Sequence, residues 1–112
     1  MKLPRLNRLL ALEEAQRTPD GAGGFTEVWT ELGQLWGEIT SRSGRERSEA
    51  EVPLSTVGVR IVVRGAPVGA PSRPKPEQRF REGARLFVIQ AVSEADPEAH
   101  YLTCFAVEEV AS

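Results

Sequence analysis

The side chains that could perform acid–base, thiol or metal chemistry are few in this chain of 112 residues. It contains one histidine, His100, and one cysteine, Cys104, so the sequence offers no ligand set for an ordinary zinc or thiol site. The adjacent glutamates Glu13-Glu14 and Glu108-Glu109 would point to opposite faces of a strand and could not act as pairs. We therefore predict a protein that is not an enzyme, with no catalytic residue, no metal site and no cofactor.

A glycine-rich run near the N-terminus could suggest a phosphate cradle, but its neighbours favour a turn. Gly21-Ala22-Gly23-Gly24 lacks the Lys-Ser/Thr pair of a phosphate-binding loop, and strand-forming residues rather than a helix follow it. A proline favours the first bend of a turn, and an aspartate can bond to the backbone two residues on. The residues that we assign to a structural turn between two strands are Pro19, Asp20, Gly21, Gly23 and Gly24.

Length and charge describe a single ordinary domain. A chain of this length can bury one modest core. The formal net charge of −2 at pH 7 is too small to indicate nucleic acid as the main ligand.

The lone cysteine excludes an internal disulfide and fits a reducing, intracellular origin. The basic N-terminus has no sustained apolar run after it, so we expect neither a signal peptide nor a membrane span.

Alternating hydrophobicity predicts a chain built mainly of strands. From Val57 to Arg64 every second residue is valine or isoleucine, which is the period of a half-buried strand. Ala84 to Val92 is apolar on both faces, as expected of a central strand. A turn at Asp96-Pro97 then leads to a further strand from His100 to Val107. These last two strands are predicted to form an antiparallel hairpin.

The segment from Phe25 to Ser41 is predicted as one long strand bent by a bulge at Gly33, because an isolated glycine in a strand often marks a bulge. Two strands around Gly33 are the alternative. Phe25 and Trp29 share a face and are expected in the core. Trp36 falls on the more polar face, where an exposed tryptophan would suit a protein contact. A register shift at the bulge would instead bury it.

The N-terminal segment fits two structures. The spacing of Leu6, Leu9 and Leu10 among good helix formers by itself predicts a helix from Leu6 to Ala15. The alternative is a strand with Leu10 and Leu12 on one side, feeding directly into the glycine-rich turn.

Two stretches break the strand pattern. Ser43-Gly44-Arg45-Glu46 has capping-box spacing, and Arg47 to Glu51 could complete a short helix that Pro53 would stop. That helix would be polar all round, so it belongs on a surface, between subunits or in a loop. The second stretch, Gly65 to Gln78, is proline-rich and is predicted to be an exposed, partly extended loop over residues 65–79.

The order and spacing of several motifs resemble one known family. They are Leu6-Asn7-Arg8, Arg17 to Thr26 with Trp29, Leu35 to Ile39, Ser43 to Glu46, and Glu82 to Ile89. Together they closely resemble the head–tail joining, or head-closure, family of tailed bacteriophages and gene transfer agents. The resemblance spans nearly the whole chain and favours the strand for the N-terminal segment. The chain departs from the family's usual pattern in its longer, more proline-rich loop at Gly65 to Gln78.

The resemblance implies an all-β fold. We expect a single small antiparallel β-barrel domain over residues 1–112, with long loops and one short helix. It also implies a structural protein, the stopper, that forms a dodecameric ring. The ring's expected partners are the portal and adaptor on one side and the tail terminator or tail tube on the other. Packaged double-stranded DNA would pass through the channel, and no membrane partner is expected. The implied location is the neck of a phage or gene transfer agent particle assembled in the bacterial cytoplasm.

The resemblance also indicates which residues would face the DNA channel. In the family, the connection after the strand bearing Trp36 is long and helps to block the exit of DNA. By that analogy the gate lies in residues 42–55. Its members are Arg42, Ser43, Gly44, Arg45, Glu46, Arg47, Glu49 and Glu51. A wall of mixed charge would neither grip nor strongly repel phosphate, which suits a conduit.

Contacts within the ring, or with the rest of the neck, are expected elsewhere. The candidates are Trp36, Arg60, Arg64, Pro71 and Pro74. The Gly65–Gln78 loop and the segment from Met1 to Leu6 could also reach neighbouring subunits.

Two other functions remain open. One is a tail terminator, or another neck or minor tail ring protein of similar barrel fold. The other is a monomeric small barrel that binds nucleic acid or peptide. The latter would expose aromatic residues together on one strand face with basic neighbours, whereas the aromatic residues here are few and spread along the chain.

Overall fold

The computed structural model describes residues 3–41 and 56–109, which form an antiparallel β-barrel. Its strands are β1 (Arg8–Pro19), β2 (Phe25–Ser41), β3 (Thr56–Arg64), β4 (Arg79–Glu82), β5 (Arg85–Glu94) and β6 (Tyr101–Glu109). They close in the order β1-β2-β3-β6-β5-β4, which confirms the all-β barrel. No helix occurs in these two described ranges, and so none that could cross a membrane. The short helix and the gate, both predicted between residues 42 and 55, lie outside them.

The N-terminal segment is a strand, and the helical spacing of its leucines is misleading. β1 pairs with β2 along its whole length, and Leu10 and Leu12 are buried in the barrel interior. Two leucines two residues apart face the same side of a strand. Packing inside the barrel therefore overrides the local helix propensity of the segment.

β2 is one continuous strand with a bulge at the predicted place. The pairing with β1 shifts between Leu12, opposite Gly33, and Glu13, opposite Glu31. Leu32 is thereby left without a partner in the register, which is the geometry of a β-bulge. The prediction of one bent strand rather than two is confirmed.

The core is a single cluster inside the barrel. Its buried members are Leu10, Leu12, Val59, Ile61, Val63, Phe80, Phe87, Ile89, Leu102, Cys104 and Ala106. β3 and β6 each contribute alternate residues to it, as the sequence pattern predicts. Cys104 has a packing role, and burial raises the pKa of its thiol to about 12.

The β1–β2 hairpin extends beyond the barrel. β4 pairs with β1 only from Ala11 to Glu13, and β3 pairs with β2 only from Gly37 to Ser41. Residues 14–31 therefore form a two-stranded ribbon with no further strand partner among the described residues. We call this ribbon the hairpin arm.

The hairpin arm corrects the expectation that Phe25 and Trp29 lie in the core. The two residues do share a face, but Phe25 is 65% exposed and Trp29 is only half-buried. The reason is that the core ends where the ribbon leaves the barrel, so side chains farther along the arm have no interior to enter.

The proline-rich loop between β3 and β4 is more closely packed than the sequence suggests. Pro71 is exposed as expected, but Pro74 is fully buried. The Arg73 guanidinium donates a hydrogen bond to the Ala66 carbonyl oxygen (2.9 Å), and the Gln78 side-chain oxygen accepts one from the Lys75 amide (2.9 Å). Pro74 is thus part of the subunit interior. The prediction that it contacts another subunit or neck protein is therefore wrong.

Candidate assembly surfaces

The glycine-rich run forms the tip of the hairpin arm. The Asp20 Oδ1 atom accepts hydrogen bonds from the Ala22 amide (2.8 Å) and the Gly24 amide (3.1 Å), and these bonds lower the pKa of Asp20. Gly21 and Gly23 have φ values of 82° and 86°, which favour glycine. The predicted turn is confirmed. Because Asp20 already occupies two of its amides, the run is not built as a phosphate cradle.

The barrel closes at a narrow seam between β1 and β4, where residues pair at Ala11, Leu12 and Glu13. Glu13 is only 6% exposed. Its carboxylate accepts hydrogen bonds from the Arg79 Nε atom (2.7 Å) and the Arg81 Nε atom (2.8 Å). The Arg79 guanidinium also lies over the Trp29 ring, 4.0 Å from its centroid. Ion pairs as well as backbone pairing therefore hold β1 and β4 together at the seam.

The electrostatics of Glu13 favour its ionised form. Burial alone would raise the pKa of its carboxyl group, but the hydrogen bonds from Arg81 and Arg79 outweigh that effect and lower the pKa. Sequence reasoning missed this cluster because the two arginines are 66 and 68 residues away from Glu13. No local pattern signals such a pairing.

A second set of ion pairs crosses the same seam. Arg8 on β1 is paired with Glu82 on β4, with a hydrogen bond of 2.6 Å from its Nε atom. Arg85 on β5 lies 3.7 Å from Glu82 and donates to Glu108 on β6 at 2.7 Å. These four charges link four strands. Because each ion pair connects two strands of the barrel, we assign these charges to stabilising the barrel rather than to binding a ligand.

The structure brings Trp36 and Arg64 together. They line a cleft of about 490 Å³ with Leu6, Gln34 and Leu35. The cleft lies where β2 separates from β3, just past the last pair, Gly37 and Val63. Trp36 is 55% exposed, so of the two alternatives the outward orientation holds and core burial is excluded. We call this feature the Trp36 cleft.

Arg60 does not belong to the Trp36 cleft. It lies farther along β3, half-buried, with its guanidinium 5.9 Å from the centroid of the Phe105 ring.

One exposed cluster could be mistaken for a metal site. Side-chain oxygen and nitrogen atoms of Asp96, Glu98 and His100 lie within 4.8 Å of one another. The His100 Nδ1 atom is 3.1 Å from an Asp96 oxygen, and the other Asp96 oxygen accepts a hydrogen bond from the Tyr101 amide (3.0 Å). The hydrogen bond to the Tyr101 amide lies in the turn between β5 and β6, and His100 is exposed at the surface.

Comparisons with known proteins agree with the resemblance carried by the motifs. A family model described as phage head completion protein matches residues 1–109. A chain in the virion of a native gene transfer agent particle is 60% identical, with 98% of this chain and 100% of that chain covered and a TM-score of 0.81. The solution structure of a protein from Shigella flexneri 2a is 22% identical, with 95% of each chain covered and a TM-score of 0.66, which shows a shared fold. Among curated proteins none matches.

Proposed function

Because the chain belongs to the phage head completion protein family, we propose that it is a structural neck protein of a phage or gene transfer agent particle. In this proposal it forms the stopper ring between the portal and adaptor on one side and the tail on the other. The observation that carries it is the 60% identity, over 98% of this chain and 100% of the other, to a component of a gene transfer agent virion.

The shape of the subunit suits a ring. Rings arise when one surface of a subunit meets a different surface of the next and the rotation closes. The hairpin arm and the Trp36 cleft are two such unlike surfaces on one subunit. A dodecamer, matching the portal's symmetry, is the ring size that the family resemblance implies.

The segment of residues 42–55 is the proposed gate. Its anchors, Ser41 at the end of β2 and Thr56 at the start of β3, belong to neighbouring antiparallel strands. These two anchors therefore lie at the same end of the barrel. In a ring, twelve such segments could converge on the channel.

The function can be tested in particles assembled without this protein. We expect DNA-filled heads that lose their DNA and tails of normal length that stay unattached. A variant lacking Arg45 to Glu51 should fold and enter particles but leak DNA. Attached tails in the absence of the protein would contradict the neck assignment, and overlong tails would favour the tail terminator. Full DNA retention by the deletion variant would contradict the gate alone.

A further inference from the structure

The hairpin arm carries apolar side chains on both of its faces. Phe25 is 65% exposed on the face that also bears Trp29, and Val28 is 50% exposed on the opposite face. Glu27 lies between Phe25 and Trp29 on the first of these faces. A two-stranded ribbon is only marginally stable in water without further packing. Packing against a partner would therefore stabilise the arm.

The Trp36 cleft has the complementary properties. Leu6, Leu35 and the exposed indole of Trp36 give it apolar walls, and Arg64 places a positive charge in it. Leu9, the cross-strand neighbour of Trp36, is 43% exposed and extends the apolar surface onto β1. From Phe25 to Trp36 the outer edge of β2 has no strand partner among the described residues. Such an edge can receive another chain.

The arm and the cleft carry side chains of opposite charge. Neither Glu27 on the arm nor Arg64 in the cleft has a salt-bridge partner within the described ranges. Val28 and Leu35 are seven positions apart on one strand, about 23 Å at the usual rise per residue. An extended ribbon cannot fold back over that distance onto its own base. An arm that fills the cleft would therefore have to come from another molecule.

We propose that the hairpin arm of one subunit docks in the Trp36 cleft of the next copy, with Phe25 against Trp36 and Glu27, on the same face of the arm, beside Arg64. This contact rests on the proposed ring and names its surfaces. It is heterologous, so each subunit gives one arm and receives another, which is the arrangement that closes a ring. Aromatic and arginine side chains such as Trp36 and Arg64 are enriched at protein interfaces.

Thiol cross-linking in purified particles tests the contact. Val28→Cys combined with Gln34→Cys, treated with a short bismaleimide, should give a ladder of linked subunits. Val28→Cys alone should give none. The matched control combines Val28→Cys with Ser93→Cys, an exposed position on β5, and should also give none. The buried native Cys104 does not compete for the reagent.

A charge-reversal pair gives an independent readout. Glu27→Arg or Arg64→Glu, added to the cross-linking pair, should reduce the linked product about threefold to tenfold, and the two reversals together should restore it. An equal ladder from the Ser93 control, or linkage of residue 28 to a different neck protein, would overturn the inference. Particles that contain the subunit but yield no ladder would overturn it too, whereas particles that lack the subunit altogether would contradict the proposed function instead.

Discussion

At the scale of single residues, Gly65 has the tightest surroundings among the glycines that the structure describes. Its amide donates a hydrogen bond to the His100 carbonyl oxygen (2.7 Å), and a Cβ atom added there would lie 2.1 Å from the Ala99 carbonyl oxygen. Backbone atoms cannot yield as a flexible side chain does. The loop after β3 and the turn before β6 meet at a point that only glycine fits.

We predict that Gly65→Ala lowers the free energy of unfolding by about 3 kcal/mol, since relieving the clash requires a backbone shift. Urea denaturation of the purified subunit would measure the change. Ser72→Ala, at an exposed position in the same loop, is the matched control and should change stability by less than about 0.5 kcal/mol. Equal stability of the two variants would show that the loop and turn can separate at no cost.

Glu13 gives the fold a pH dependence whose sign follows from its lowered pKa. A carboxyl group whose pKa is lower in the folded than in the unfolded chain contributes its full stability above the unfolded value, about 4.3. That contribution is lost as the pH falls through the folded value. The ion pairs with Arg79 and Arg81 therefore stabilise the barrel at neutral pH and not in strong acid.

We predict that Glu13→Gln destabilises the subunit by about 2 kcal/mol at pH 7, because two charge-assisted hydrogen bonds are lost. The difference from the natural chain should shrink at pH 3. Denaturation midpoints at the two pH values would measure it, with Glu94→Gln at an exposed position as control. A pH-independent difference would show that packing, rather than charge, accounts for the role of Glu13.

At the scale of elements, neighbouring strands of the barrel pair over unequal lengths. β3 and β6 pair at nine positions from Thr56 to Arg64, whereas β1 and β4 pair at three. Opening free energies within one protein follow the local density of contacts. The seam should therefore open before the rest of the barrel.

We predict that the amides of β4 exchange with solvent at least about tenfold faster than those in the middle of β3 and β6. Hydrogen exchange followed by mass spectrometry or NMR would measure this in the isolated subunit. Glu82→Gln, which removes the partner of Arg8, should increase exchange in β4 without a comparable effect at Ile61. Uniform protection around the barrel would contradict a weak seam.

The elements that could be predicted from sequence are those whose pattern is local. The alternation in β3 and the bulge beside Gly33 need only neighbouring residues to be recognised. The strand at Leu6 to Ala15 could not be separated from a helix in this way, because burial of Leu10 and Leu12 depends on strands far along the chain. The Glu13 cluster, the closing role of β4 and the exposure of the hairpin arm depend on three-dimensional arrangement in the same way.

At the scale of the whole molecule, the elongated subunit keeps its proposed contact surfaces apart. Its principal extents are 53, 38 and 23 Å. This elongation leaves room for the hairpin arm to extend away from the barrel. A contact made by a narrow ribbon and one cleft buries little surface. Such contacts are weak between free molecules and become stable when many act together on a template.

We predict that the isolated protein is largely monomeric and assembles on the neck. Light scattering coupled to size-exclusion chromatography should give the mass of one chain at micromolar concentration. Addition of the portal and adaptor complex should convert it to a ring. A stable dodecamer without those partners would contradict templated assembly while leaving the arm-to-cleft contact intact.

The buried thiol of Cys104 has a practical consequence for following assembly. With its pKa raised to about 12, it reacts with alkylating reagents only after β6 has been exposed to solvent. Its labelling rate therefore reports how often β6 opens to solvent. The labelling rate of Cys104 can be compared between free subunits and assembled particles. A slower rate in particles would measure how far assembly suppresses the opening of β6.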